Sequence, residues 1–271
     1  MKVAVITGAS GGIGKETARL LTKTHRVYDL SRTGCDAEGI IHINADVTAE
    51  ESLAAAFAQI RAREGKIDLL VCNAGFGIAG AAEFTSLADA TRQFDVNFFG
   101  VFLACKLALP LLREAKGRIL AVSSAAAEFP IPFQSFYSAS KSAVNTFICA
   151  LRNEVRAFGV TAAVIMPGDT KTGFTGARKK EFEGEDVYGG RITSSIAVME
   201  KDEETGMRPE SVARTIVRIA NKKHIRPLYT AGFTYKLFVA VHKLLGTTAV
   251  NRIISVLYVK KPKQGKEDKK K

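Results

Sequence analysis

With 271 residues, 46% of them hydrophobic and 24% charged, the chain has the make-up of one large globular α/β domain, not of a disordered or fibrous protein. No run of about eighteen or more apolar residues occurs, and the first residues lead straight into a strand without a secretory leader pattern, so a cytoplasmic protein is expected. The net charge of +12 would suit a nucleic acid or a membrane, but seven lysines and two acids within 260–271 supply +5 of it, as in a solvated, disordered tail; the remaining +7 is read as spread over the domain without interleaved aromatics, and no nucleic-acid partner is expected.

In chain order, the first predicted strand covers 3–7 and runs into Thr7-Gly8-Ala9-Ser10-Gly11-Gly12-Ile13-Gly14, with a helix predicted at 13–23. Gly8, Gly12 and Gly14 let the backbone turn tightly and approach a pyrophosphate at the helix N-terminus, where free N–H groups and the helix dipole favour anions. A strand at 26–30 ends in Asp29-Leu30-Ser31-Arg32. An acid at such a position holds ribose hydroxyls and favours NAD, whereas a base pairs with a 2′-phosphate. Asp29 falls inside the strand and Arg32 at its carboxyl end, where ligands bind, which favours NADP(H). The alternative turns Asp29 to the ribose, leaves Arg32 as a surface cation and admits NAD(H).

Further strands are predicted at 40–44, 68–73, 118–123, 160–166 and 228–230, and further helices at 50–64, 87–114, 136–158 and 209–222. Strands alternating with helices imply a doubly wound (Rossmann) α/β fold: a parallel seven-stranded sheet with helices on both faces, in one domain spanning 1–231. Residues 168–205 lack strong periodicity, as in a mobile substrate loop or lid. Residues 232–259 form an apolar helical segment, with Phe233, Leu237, Phe238, Val241, Leu244 and Leu245 at helical spacing.

Tyr137-Ser138-Ala139-Ser140-Lys141 places a phenol and an ammonium one helical turn apart. The ammonium stabilises the phenolate and makes the hydroxyl a usable acid or base. Ser124, thirteen residues upstream at the end of a predicted strand, can hydrogen-bond a substrate oxygen as charge develops on it. Ser123 competes for that role.

The chain resembles the short-chain dehydrogenase/reductase family in its compact single-domain branch. The resemblance rests on the 7–14 loop, Asp46-Val47, Asn73-Ala74-Gly75, Asn97, Ser124, Tyr137 with Lys141, and Pro167-Gly168 followed by Thr172. It implies that Gly8, Ser10, Gly12, Ile13 and Gly14 cradle the pyrophosphate and adenosine, that Asp46 and Val47 flank the adenine, and that Asn73, Ala74 and Gly75 close that side. It also implies that Lys141 binds the nicotinamide ribose and tunes Tyr137, that Asn97 holds a water linking Lys141 to solvent, and that Pro167, Gly168 and Thr172 seat the carboxamide. One departure is Gly11, where many NADP-preferring members carry a base; cofactor choice then rests on Arg32 together with Lys15.

No metal is expected. Cys35, Cys72, Cys105 and Cys149 are scattered and read as reduced, mostly buried thiols, and His25, His42, His224 and His242 lack partners at ligand spacing. Apolar residues at 129–133 and in 232–259 favour a hydrophobic alcohol or carbonyl as substrate, and the whole chain resembles steroid- and retinoid-type members. The 232–259 segment has two other readings, packing on the sheet or a second subunit, and lying on a membrane surface with the lysine-rich run behind it. The resemblance implies a homodimer or tetramer paired through the helices at 87–114 and 136–158. The alternative to an enzyme is a catalytically idle, nucleotide-sensing member; the intact Asn97, Ser124, Tyr137 and Lys141 set argues against it.

Overall fold

The computed structural model describes residues 1–259, so the expected disordered tail at 260–271 lies outside the described residues. Strand β1 (Lys2–Thr7) decides the architecture: Val3 and Val5 enter one apolar cluster, Ala4 and Ile6 another, and all four are at most 2% exposed. A strand buried on both faces needs strands on both edges and helices above and below.

The chain supplies them in alternation. Helix α1 (Gly12–Leu21) is followed by β2 (His25–Ser31), β3 (Ile40–Asn44), α2 (Glu50–Glu64), β4 (Leu69–Cys72) and the short β5 (Ile78–Ala79). Then come α3 (Leu87–Phe94), α4 (Gly100–Ala115), β6 (Arg118–Val122), α5 (Ser135–Glu154) and β7 (Thr161–Pro167). The remainder is α6 (Phe174–Ala177), β8 (Lys179–Lys180), α7 (Arg191–Glu204), α8 (Pro209–Ala220), β9 (Leu228–Ala231) and α9 (Phe233–Tyr258). Seven strands form one parallel sheet in the order β3-β2-β1-β4-β6-β7-β9. Helices α1 and α8 cover one face through Leu21 and Ile216; α2, α4 and α5 cover the other through Phe57, Leu112 and Ile148. The winding reverses between β1 and β4, which opens a crevice at the carboxyl ends of the strands.

The structure departs from the sequence-based expectations in three places. The single helix expected at 87–114 is interrupted by a π turn at Asp95–Phe99, which carries Asn97 inward to 0% exposure. The composite helix Leu87–Ala115 is long and apolar enough to cross a membrane, but half of its most apolar window is buried against the protein, as in a core helix. Second, the segment expected to lack regular structure contains α6, β8 and α7. Ile192, Ile196 and Met199, one stripe of α7, pack with Ala79, Ala81 and Phe133 in a third small core. Third, α9 is two limbs bent by 113°, with Gly246 at φ 73° and ψ 168°, a conformation essentially restricted to glycine.

The bottom of the sheet is tied by one side chain. Arg118 donates to the carbonyls of Ile219 (2.6 Å), Ala220 (2.7 Å) and Lys222 (2.8 Å), satisfying the open C-terminal end of α8. Arg118→Ala is expected to cost about 2–3 kcal/mol in urea denaturation, because two part-buried carbonyls and a third, exposed one lose a charged donor. A loss below about 0.5 kcal/mol would mean that water replaces the guanidinium there.

Candidate active site

The loop between β1 and α1 is shaped by contacts that leave no room for side chains. Gly8 has φ +70°, and a β-carbon on it would lie 2.9 Å from Ala74 Cα; one on Gly14 would lie 2.3 Å from the Gly8 carbonyl oxygen. Asn73 donates from Nδ2 to the Gly8 carbonyl (2.8 Å), and the Thr7 hydroxyl accepts from the backbone amides of Asn73 (3.0 Å) and Ala74 (3.2 Å). Thr7 and Asn73 thus clamp the glycine loop to the Asn73-Ala74-Gly75 turn. The result is a ledge of backbone N–H groups at the start of α1, which fits a pyrophosphate.

Beside it, Asp29 is buried and fully engaged. Its Oδ1 accepts from Ala9 N–H (2.9 Å), its Oδ2 accepts from the Ser31 hydroxyl (2.8 Å), and His42 Nδ1 lies 3.3 Å from Oδ2. Arg32 is exposed and lines the same cleft, whereas Lys15, expected to assist it, is exposed on α1 and does not line it. Burial pushes the Asp46 carboxyl up, but two bonds from Thr48 and the charge of Arg32 hold it below the usual carboxylate range.

The cleft has a volume of about 1420 Å³. Every residue singled out from the sequence as a site residue lines it except Lys15, Gly14 and Asn97, the last two standing one layer behind. At its centre Tyr137 is half-buried with its ring 5.8 Å from Lys141 Nζ. Burial pushes the phenol up to about 12, with the neighbouring Ser124 hydroxyl pulling it down and Glu203 pushing it up. Lys141 is 4% exposed, donates to the Val122 carbonyl (3.1 Å), and is lowered by desolvation to about 8. Ser123 donates to the Lys141 carbonyl (3.0 Å), which ties it to the helix and leaves Ser124 beside the phenol.

Asn97 accepts from Phe76 N–H (3.0 Å) and donates to the Phe76 carbonyl (3.1 Å) and the Ser140 hydroxyl (3.1 Å). Gly75 separates it from the lysine: a β-carbon there would lie 3.1 Å from Asn97 Oδ1 and 3.4 Å from Lys141 Nζ.

Phe174, which lines the cleft, and Arg178, which does not, were not singled out from the sequence, whereas Phe129, Tyr235 and Phe238 fall in the apolar stretches expected to face the substrate. Phe174 stacks beside Tyr137 at 5.7 Å between ring centres. Its neighbour Arg178 is buried, pairs with Glu203, and carries its guanidinium 5.4 Å from the Phe174 ring. Tyr235 of α9 donates to Asp169 and lies so close over Gly168 that a β-carbon at 168 would be 1.9 Å from its ring. Phe238 meets Phe129 at 6.5 Å between ring centres. Sparse aromatic spacing in a charged segment gave no signal for Phe174; for Tyr235 and Phe238 the helical apolar pattern did. Among the described residues no cluster of His, Cys, Asp or Glu could hold a metal ion; Cys72 and Cys105 are buried, but Cys35 is exposed.

The short chain dehydrogenase family model matches residues 2–183. The chain is 38% identical over 228 residues to a 3-ketodihydrosphingosine reductase from Bacteroides thetaiotaomicron, covering 82% of this chain and 85% of that one. It is 32% identical to 11-beta-hydroxysteroid dehydrogenase A from Sesamum indicum, covering 81% of this chain and 65% of that one. Its fold matches the crystal structure of a short-chain dehydrogenase from Streptomyces avermitilis with a TM-score of 0.79 and 25% identity, over 94% of this chain and 95% of that one.

The buried lysine has a measurable cost. Its pKa is lowered in the folded state from 10.5 to about 8, so the penalty is full below pH 8 and fades as pH rises toward 10.5. Lys141→Met is expected to raise stability at pH 7 by about 1–3 kcal/mol, with the gain shrinking through that window. Thermal melts across pH measure it; a gain indifferent to pH would contradict the desolvation origin.

Proposed function

The chain belongs to the short-chain dehydrogenase/reductase family of oxidoreductases acting on CH–OH and C=O groups, and on that premise we propose that it interconverts a hydrophobic ketone or aldehyde and its alcohol using NADP(H), with Tyr137 as the acid/base. The observation that carries the reading is the convergence of Ser124, Tyr137 and Lys141 in one cleft with a glycine-loop ledge that fits a dinucleotide.

The nicotinamide supplies or takes the hydride when bound. The side chains manage the proton and the oxygen. Ser124 hydrogen-bonds the substrate oxygen as charge develops on it. Tyr137, raised to about 12, is protonated at neutral pH and donates its proton to that oxygen in the reductive direction. The Lys141 ammonium favours the phenolate left behind, and its pKa of about 8 lets it return a proton near physiological pH. Asn97, reached across the side-chain-free Gly75 from Lys141 Nζ, is the residue to hold the water that replenishes the lysine. Gly8, Ser10, Gly12, Ile13 and Gly14 hold the pyrophosphate and adenosine, Asp46, Val47, Asn73, Ala74 and Gly75 the adenine side, and Pro167, Gly168 and Thr172 the carboxamide.

NADP(H) is favoured because Asp29 is spent on Ala9 and Ser31, while the exposed Arg32 guanidinium is available to a 2′-phosphate. A large apolar substrate is supported by the wall formed by Phe129, Ile131, Phe174, Met199, Phe238 and Ile254, and by the names of the sphingosine- and steroid-type relatives. Exposed Phe102 of α4, with its ring centre 6.1 Å from that of Phe147 of α5, and exposed Phe99 in the turn just before α4 support a homo-oligomer paired through α4 and α5.

Fluorescence titration is expected to give tighter binding of NADPH than of NADH, with Arg32→Ala weakening NADPH by about tenfold (~1.4 kcal/mol) and NADH hardly at all. Equal binding of both by the wild type would remove the Arg32 argument. Tyr137→Phe is expected to keep cofactor affinity and lose roughly 10²–10⁴ in turnover of a ketone screen, since only the transferable proton is removed. A residual rate of about one tenth, a loss of only ~1.4 kcal/mol, would rule out the acid/base role.

A further inference from the structure

The excess positive charge is not spread over the domain, as the sequence first suggested. Residues 1–210 carry 24 basic and 25 acidic side chains; residues 211–271 carry 15 basic and two acidic, and no acid stands between Glu210 and Glu267. Helix α9 lies inside that acid-free stretch.

It is also where apolar surface collects. Eight of the fifteen exposed large apolar side chains among the described residues belong to α9, with Phe233 and Leu244 each 85% exposed and Val256 66%. Scattered exposed apolar residues need no account, but a concentration on one element does. Ile253, Val256 and Leu257 stand at helical i, i+3, i+4 spacing on the second limb, and Phe233 and Leu237 at i, i+4 on the first. Phe233, Phe238, Ile253 and Leu257 are exposed and also line the cleft, so the apolar surface continues into its mouth.

The limbs, Phe233–His242 and Leu244–Tyr258, are about 15 Å and about 22 Å long at 1.5 Å per residue. Each is shorter than the hydrocarbon core of a bilayer, about 30 Å, and the bend of 113° keeps them from spanning it together. A second copy of the chain is a poor occupant, because facing α9 surfaces would bring two acid-free cationic stretches against each other.

We propose that α9 is an interfacial anchor for an anionic bilayer: its apolar side chains enter the acyl boundary, exposed Lys236 and Arg252 and the seven lysines that follow Val259 in sequence supply the attraction to the headgroups, and the cleft mouth opens toward the lipid. The docking does not depend on the carbonyl reading, although an apolar substrate drawn from the bilayer would suit it.

Full-length protein is to be sedimented with phosphatidylcholine vesicles, with and without phosphatidylglycerol, at low and high salt. The wild type is expected to pellet with the anionic vesicles. Raising the salt from about 0.1 M to about 1 M shortens the screening length from about 10 Å to about 3 Å and is expected to lower the bound fraction on the order of tenfold. Leu244→Glu with Val256→Glu, neither of which lines the cleft, is expected to abolish binding while the melting curve and NADPH affinity stay as in the wild type. Lys260→Gln with Lys261→Gln and Lys263→Gln is expected to weaken the anionic preference alone. Wild-type protein that stays in the supernatant overturns the proposal. So does unchanged binding by the glutamate variant, or equal binding to both vesicle types. Light scattering that shows a dimer split by the same glutamates, with no vesicle binding, would assign α9 to self-association instead.

Discussion

Because all seven strands point the same way, the turns that follow β1, β4, β6 and β7 must emerge along one edge of the sheet, and each of them has to be held in shape by something other than a strand. The holding is done by buried hydrogen bonds that reach between neighbouring strands. Thr7 and Asn73 join the first turn to the fourth, Asp29 reaches from β2 to the Ala9 amide, and Ser123 at the end of β6 grips the Lys141 carbonyl on α5. Each bond satisfies a polar group that would otherwise be buried without a partner. The same arrangement sets Ser124, just past the end of β6, in one cleft with Tyr137 and Lys141 of α5.

The same packing sets a tension between stability and reactivity. A lysine shut away from water, with one carbonyl for company, is a poor choice for a core and a good one for lowering the barrier to proton transfer. The π turn that brings Asn97 inward is a second irregularity of this kind, since a regular helix would have kept the 3.6-residue stripe and left the asparagine elsewhere on the circumference.

The order of strands and helices was legible in the sequence because both faces of the sheet are buried and β-branched runs announce themselves. The glycine loop was equally legible, since its turn leaves no volume for a β-carbon at Gly8 or Gly14. Helix α7 was not: its apolar stripe is only Ile192, Ile196 and Met199 among charged and small residues, too thin for periodicity to register, and it becomes a helix by packing on Phe133 and Ala79. Nor could the sequence choose between Asp29 and Arg32 on more than strand position. The structure adds that the aspartate has a job inside the protein, a contact with Ala9 that no local pattern encodes. Lys15, whose helix face is fixed by packing, is exposed on α1 outside the residues that line the cleft.

The contact of Tyr235 with Gly168 bears on how such a chain can diverge. The floor of the cleft and the first turn of α9 occupy each other's space, so neither can be exchanged alone: a graft of a foreign C-terminal helix has to bring an aromatic that fits over a bare backbone, and a side chain at 168 evicts the helix. Loop swaps intended to change what the cleft accepts therefore have to be cut outside this pair, ahead of Pro167 and beyond the bend at Gly246, with everything between moved as one cassette.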